Sequence, residues 1–233
     1  MIKEAIILAG GLGTRLRDAV PDLPKVMAPV LAKPFIGYLI DYYTQQGIEK
    51  FIFSLGYKHD VIQQYLNTQY ANCNIRYSIE QEPLGTGGAL RLACSMATEK
   101  TVLILNGDTF FKVRLGMLSS FHDMCGAHCT ISLKPMKNFD RYGVVELDKD
   151  YSVQSFNEKQ FYVKGLINGG VYALHAIKFL EEKLPEKFSF EKDYLEALYP
   201  KRRIYGVVQV GYFIDIGIPE DYERAQAELN VKM

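Results

Sequence analysis

The sequence predicts an α/β fold with a mostly parallel central sheet and a smaller mixed-sheet lobe. Three observations carry that expectation. Apolar runs of strand length alternate with helix-period segments up to residue 105, the first run ends in a glycine cluster, and after residue 130 the pattern turns to short strands joined by turns. Residues 5–9 are continuously apolar, as a central parallel strand buried on both faces should be. Pro34 opens a helical segment with Phe35, Leu39, Tyr42 and Tyr43 at helical intervals, and Gly47 closes it. Residues 50–55 read as a second strand. Asp60 then stands in the first turn of a helix whose apolar face is Val61, Ile62, Tyr65 and Leu66. Residues 75–79 form a third strand, 89–96 lie on a helix, and 101–105 are a buried strand running into Asn106-Gly107-Asp108. Such alternation builds a parallel sheet with right-handed crossovers. In the second half, 130–133, 144–147, 152–156 and 171–174 read as short strands, followed by helical stretches at 177–183 and 193–198 and a strand at 204–210. Pro219, backed by Glu220 and Asp221, starts a last helix through Leu229.

The chain has 233 residues, which suits one large domain; 48% are hydrophobic and 23% charged, the proportions of a soluble globular protein. Lys plus Arg and Asp plus Glu each total 27, so the net charge is zero. Binding to nucleic acid or to an anionic membrane usually rests on excess positive charge, so neither partner is expected and any basic residues that matter act locally on a small anion. The four cysteines, Cys73, Cys94, Cys125 and Cys129, are not needed as a disulfide framework in a chain this size. The first apolar run follows Met1–Glu4 without a basic leader or small-residue cleavage site, so it reads as a strand and the expected compartment is the cytoplasm.

Leu8-Ala9-Gly10-Gly11-Leu12-Gly13-Thr14-Arg15-Leu16 follows the first strand directly. Glycines let a backbone approach phosphate oxygens, and ligands of open α/β sheets sit beyond the carboxyl ends of strands. A Walker loop would need Lys and Ser or Thr after its last glycine, but Gly13 is followed by Thr14-Arg15. A dinucleotide fingerprint would need glycine where Leu16 stands and an acid near Lys33-Pro34. Arg15 and, ten residues on, Lys25 supply a guanidinium fork and a compact point charge suited to a triphosphate.

The loop and Pro24-Lys25-Val26-Met27 resemble the signature of the sugar-1-phosphate nucleotidyltransferases. The likeness continues, in the family's order, through Glu82-Pro83-Leu84-Gly85-Thr86-Gly87-Gly88-Ala89, Asn106-Gly107-Asp108, Tyr142-Gly143-Val144-Val145, Glu158-Lys159, Asn168-Gly169-Gly170-Val171-Tyr172 and Asp215-Ile216-Gly217-Ile218-Pro219. Ile218 departs from the threonine of many relatives, with little consequence because Pro219 still starts the helix. The resemblance implies a Rossmann-like nucleotide-diphospho-sugar transferase fold in a single domain, residues 1–233. Its nucleotide-binding core would be mainly 1–115 plus 204–233, and its sugar-binding lobe mainly 130–200.

Asp108 and Asp215 each follow an apolar strand, a position where a carboxylate beside phosphates suits Mg²⁺. The resemblance places both at the family's metal site and makes Mg²⁺ the expected cofactor. It further implies that an NTP and a sugar 1-phosphate are the small-molecule substrates, with the sugar phosphate itself as nucleophile and pyrophosphate leaving. Leu8, Ala9, Gly10, Gly11, Gly13 and Thr14 would then cradle the nucleotide, Arg15 hold its pyrophosphate end, Lys25 stabilise the α-phosphate and Lys159 hold the sugar phosphate. Catalysis of this kind is alignment plus electrostatic stabilisation.

The segment Glu80-Gln81-Glu82, with Gly85, Thr86 and Gly87, should line the base, and a carboxylate suits the N–H donors of guanine. This stretch is similar to that of the family's guanylyltransferases, which makes GTP the favoured nucleotide, with UTP, dTTP and CTP left open. Gly143, Glu158, Asn168 and Gly169 should form the sugar pocket. Asn157-Glu158-Lys159 and Asn168-Gly169-Gly170 resemble mannose-type guanylyltransferases, whereas the short chain is most similar to the branch acting on D-glycero-D-manno-heptose 1-phosphate, by resemblance the α anomer. The runners-up are a mannose-1-phosphate guanylyltransferase and a uridylyl- or thymidylyltransferase of the family. In a different class stands a non-catalytic sugar-nucleotide sensor; such a relative should have lost the metal acids or phosphate cations, yet Arg15, Lys25, Asp108 and Asp215 are all present. Oligomeric state is open, a homo-oligomer included.

Two further patterns leave this reading unchanged. His122-x-x-Cys125-x-x-His128-Cys129 fits no common zinc module, and buried thiols with ordinary histidines explain it better. The 16 tyrosines lack a basic stripe beside them, and Tyr42, Tyr43, Tyr65 and Tyr77 fall at core-facing positions, so packing explains them better than base stacking.

Overall fold

The computed structural model describes residues 1–11, 13, 16 and 20–232. Its centre is a run of parallel strands, β1 (Glu4–Leu8), β4 (Lys50–Leu55), β5 (Asn74–Ile79) and β6 (Thr101–Asn106), in the order β6-β1-β4-β5. Two short pairs flank it: β2 (Pro29–Val30) with β3 (Lys33–Pro34), and β7 (Thr109–Phe111) with β13 (Phe213–Asp215). The helices are α1 (Phe35–Gln45), α2 (His59–Gln69), α3 (Gly85–Cys94), α4 (Leu115–Cys125), α5 (Ala176–Leu180) and α6 (Pro219–Lys232). The expected α/β architecture with a parallel centre is therefore what the chain adopts.

Strand alternation sorts the helices into two layers. Along β1, Ala5 and Ile7 pack with Phe35, Leu39 and Tyr43 of α1, Ile62 and Leu66 of α2, and Ala225 and Leu229 of α6. Ile6, between them, faces the opposite way onto Leu90 and Ala93 of α3 and Phe179 of α5. With both faces covered, an uninterrupted apolar run is the sequence such a strand requires.

The same sheet continues past β6 into its mixed part. The long β11 (Tyr162–His175) runs antiparallel to β6 and pairs on its other side with β8 (Cys129–Phe139), which is joined in parallel by β12 (Ile204–Val208). β9 (Val144–Leu147) and β10 (Val153–Asn157) add an antiparallel pair beside β11. Several elements differ from the sequence expectation, among them α4, which was not expected, and β8, which runs on to Phe139. The strand expected at 171–174 begins at Tyr162, because Asn168–Gly170 does not turn the chain but forms an irregularity in the ladder, with Gly170 at φ +69°. The helix expected from Ala89 begins at Gly85, and the helical stretch expected at 193–198 starts earlier, as a π-helical segment, Phe190–Glu196. Among the described residues, no helix is long and apolar enough to cross a membrane.

Candidate active site

A cavity of about 700 Å³ opens beyond the carboxyl ends of the parallel strands. Leu8 ends β1 and Ala9, Gly10 and Gly11 follow it; Ser54 and Gly56 flank the end of β4; Ile79 ends β5 and leads into 80–83; Asn106 ends β6 with Asp108 just beyond; all line the cavity. Here loops diverge from the ends of adjacent parallel strands, which is where open α/β sheets bind ligands. Lys25 reaches the same cavity from the 3₁₀ turn Lys25–Met27, and Gly85 and Thr86 approach from the start of α3. Glu80 braces two of these loops. Its Oε2 accepts the Leu84 N–H at 3.0 Å, and its Oε1 occupies the space that a Cβ on Gly10 or Gly56 would need, 2.7 Å from each. Glu82 stands exposed on the cavity wall.

A second cavity of about 580 Å³ shares Asn106, Asp108 and Glu191 with the first, so the two meet at Asp108. Tyr142, Gly143, Lys159, Asn168, Gly169, Arg141 and Asp215 line this second chamber. Asn168 is fixed by accepting the Gly170 N–H on its Oδ1 at 3.0 Å.

The two aspartates come together through β7 and β13. Asp215 opposes Thr109 in that antiparallel ladder, and the Ile216 N–H donates to the Asp108 carbonyl at 3.0 Å. Lys25 Nζ donates to Asp108 Oδ2 at 2.5 Å from a side chain only 11% exposed. Asp215 Oδ1 accepts the Gly217 N–H at 2.7 Å, and a Cβ on Gly217 would stand 2.8 Å from that oxygen and 3.3 Å from Lys25 Nζ. Burial pushes the Asp215 carboxyl above the ordinary carboxylate range, and the charge of Asp108 pushes the same way, while Lys25 and Arg141 partly oppose it. This is an all-oxygen pair of carboxylates, closely placed and incompletely neutralised, as a hard divalent cation demands. Among the described residues no group of three or more His, Cys, Asp or Glu side chains gathers around this pair.

The remaining candidates are placed as follows. Thr14 and Arg15 lie outside the described residues. Gly13, Gly87 and Glu158 line neither cavity. Gly13, at φ +59°, passes over Lys25, whose Cβ would lie 2.9 Å from a Cβ there. Gly87 packs under the Phe188 ring, and Glu158 is exposed, its carbonyl accepting from the Tyr162 hydroxyl at 3.0 Å. Among the Lys, Arg, Asp and Glu residues that line the cavities, Arg141 and Glu191 stand outside the sequence-predicted set. Arg141, ion-paired with buried Asp221, sits immediately before Tyr142-Gly143, a signal that was available. Glu191 reaches the seam only through tertiary packing and left no local signal. The zinc candidate resolves differently: His122 is buried and bonds Thr130 Oγ1 through Nδ1 at 2.9 Å, while burial raises the Cys129 thiol.

A family model described as nucleotidyl transferase matches residues 4–232, and the chain belongs to that family. Within it, the chain is 51% identical over 226 residues to the D-glycero-alpha-D-manno-heptose 1-phosphate guanylyltransferase of Aneurinibacillus thermoaerophilus, covering 97% of this chain and 98% of the relative. It is 44% identical over 219 residues to the enzyme of the same name from Campylobacter jejuni, covering 94% and 96%. Among solved structures, HddC from Yersinia pseudotuberculosis complexed with GMP-PN is similar at a TM-score of 0.86 and 36% identity, covering 98% of this chain and all of that one.

Proposed function

We propose that this chain is a guanylyltransferase that condenses GTP with D-glycero-α-D-manno-heptose 1-phosphate, in the cytoplasm, to give the nucleotide-diphospho-sugar and pyrophosphate. The observation that carries the reading is the junction of two cavities at Asp108, one beyond the parallel strands and one in the mixed part of the sheet. The nucleotide fits the first and the sugar phosphate the second. The names of the Aneurinibacillus and Campylobacter relatives support the heptose and the guanine, and a guanine nucleotide analogue accompanies the Yersinia neighbour.

In this reaction an oxygen of the sugar 1-phosphate attacks the α-phosphorus of GTP. The new P–O bond forms as the bond to the bridging oxygen breaks, and the electron pair leaves with pyrophosphate. The nucleophile arrives already ionised, so the protein aligns two anions and disperses charge. Lys25 meets the α-phosphate region, Arg15 the pyrophosphate end, and Lys159 the incoming sugar phosphate. Glu82, on the wall of the first cavity, accepts from the N–H edge of guanine, while Glu80 holds the loop beneath it. Asp108 and Asp215 are the residues that would hold Mg²⁺, which when bound neutralises and polarises phosphate oxygens.

The decisive measurement is pyrophosphate release with each of five NTPs against heptose, mannose, glucose and N-acetylglucosamine 1-phosphates. GTP with the heptose should be preferred; confinement to UTP or dTTP overturns the guanine assignment, and a strong preference for mannose 1-phosphate overturns the sugar assignment. Lys25→Ala or Asp108→Asn should lower turnover roughly a hundredfold or more, as loss of a transition-state electrostatic contact does. Near-normal turnover in either folded variant removes that residue from the chemistry.

A further inference from the structure

Among the described residues, Asn106, Asp108 and Glu191 wall both cavities. The first two come from the end of β6; Glu191 comes from elsewhere, on the π-helical segment Phe190–Glu196. π turns are frequent at functional sites. This one is firmly seated. Ser189 caps it by accepting the Lys192 N–H at 3.1 Å, and Thr86 Oγ1 accepts the Phe190 N–H at 2.9 Å. Thr86 Oγ1 also donates to Glu191 Oε2 at 2.7 Å, and Ser189 Oγ donates to the same oxygen at 3.2 Å. Both bonds load one oxygen of a group with about four acceptor sites, and they fix where the other oxygen stands.

A carboxylate at the meeting point of two phosphate-bearing substrates is repelled by phosphate, so its partner is a neutral donor: a hydroxyl. Both partners offer hydroxyls, the ribose in the first cavity and the pyranose in the second. The first cavity already carries the carboxylates of Glu80 and Glu82. The second has the Asp108–Asp215 pair, tied up with Lys25, and Glu158 does not line it. The carboxylate left in that chamber for sugar hydroxyls is Glu191.

Resting on the proposed guanylyltransferase reading, we propose that Glu191 is a specificity-determining residue that accepts a hydrogen bond from a ring hydroxyl of the sugar 1-phosphate, with Thr86 holding it in place from the nucleotide side. A hydrogen bond to a charged group is strong enough that its loss weakens binding about tenfold or more. The test measures steady-state pyrophosphate release by the full chain and by Glu191→Gln, with GTP, the preferred sugar 1-phosphate and its monodeoxy analogues. Glu191→Gln should raise the KM for the parent sugar about tenfold and leave the KM for GTP within about twofold. Wild-type protein should lose about tenfold in kcat/KM with one monodeoxy sugar, and with that analogue the variant and the wild type should match. A penalty equal across all the sugars makes Glu191 merely structural and overturns the proposal. A penalty that vanishes instead with 2′- or 3′-deoxy GTP assigns Glu191 to the ribose and overturns it equally. Glu191→Asp, which keeps the charge and shortens the reach, should show the same pattern if the Gln variant melts below assay temperature. Wild-type protein that turns over no NTP and sugar pair sinks the guanylyltransferase reading and this one together; turnover with an unselective Glu191→Gln sinks this one alone.

Discussion

Asp215, proposed above to hold the metal ion, sits at a cost to the stability of the fold. Its carboxyl is half-buried beside Asp108, and desolvation and that neighbouring charge both raise its pKa above the unfolded value. A carboxyl whose folded pKa is raised holds its proton more tightly in the native state, so ionising it costs the fold. That cost is absent in acid and fully present once the pH exceeds the folded pKa. Asp215→Asn removes the charge while its side-chain oxygen can still accept the Gly217 N–H. The free protein should therefore melt higher at pH 7, by about 2–4 °C for each kcal/mol relieved, while turnover falls roughly a hundredfold. Calorimetry beside a pyrophosphate assay tests both halves; a lower melting temperature would mean that the ion-pair network around Lys25 outweighs the desolvation of the acid. Asp108 and Asp215 could be named from sequence because each sits in a short motif at the end of an apolar strand, and Lys25 because the Pro24-Lys25-Val26-Met27 block accompanies the glycine loop. Arg141 and Glu191 could not be singled out as readily, since one is partnered by α6 and the other arrives on a segment whose path no local pattern specifies.

At the scale of elements, the start of α3 is where sequence reading and structure part most instructively. Leu84-Gly85-Thr86-Gly87-Gly88 reads as a loop that opens its backbone to a nucleotide, and Gly85 and Thr86 do line the first cavity. Gly87 serves the opposite side of the chain. Its N–H donates to the Phe188 carbonyl at 2.9 Å, and the Phe188 ring fills the place of its missing Cβ. Glycine here allows a close approach between α3 and the segment that leads into the π turn. Gly87→Ala should thus overpack the junction and destabilise the protein by about 1–3 kcal/mol, read as a lower urea midpoint with an unchanged m-value. An unchanged midpoint would show that Phe188 can swing aside at no cost. The parallel strands were legible because each apolar run is bounded by turn residues and buried on both faces. β11 was legible only at its carboxyl end: Tyr162 to Ile167 lacks a continuous apolar run, and Asn168-Gly169-Gly170 has the composition of a turn. There the chain stays in the sheet because β8 pairs with it on both sides of the irregularity and β6 joins it from Val171 on. Long-range pairing of that kind overrides local turn chemistry.

Across the whole molecule, the chemistry and the acid-sensitive part occupy opposite ends of the sheet. The cavities lie beyond the carboxyl ends of the parallel strands, whereas His175 pairs with Thr101 at the beginning of β6, and His128 precedes β8. His122, on α4, joins this end by its bond to Thr130 on β8 and is only 3% exposed. Burial lowers its pKa to about 4; His175, Lys178 and His128 push it the same way, and Asp123 opposes them. Burial and neighbouring cations also lower His128 and His175. A histidine depressed in the fold but ordinary in the unfolded chain makes the unfolded state the better proton binder, so stability is full above about pH 6.5 and declines toward pH 4. For His122 alone the loss between pH 7 and 4.5 amounts to about 2–3 kcal/mol. His122→Asn retains a polar partner for Thr130 without a titrating group. Urea unfolding at the two pH values should show the wild type losing more stability on acidification than this variant, by about that amount, whereas the variant's turnover at neutral pH should stay near that of the wild type. Equal losses in the two proteins would assign the acid sensitivity to the carboxylates instead of the buried histidine end.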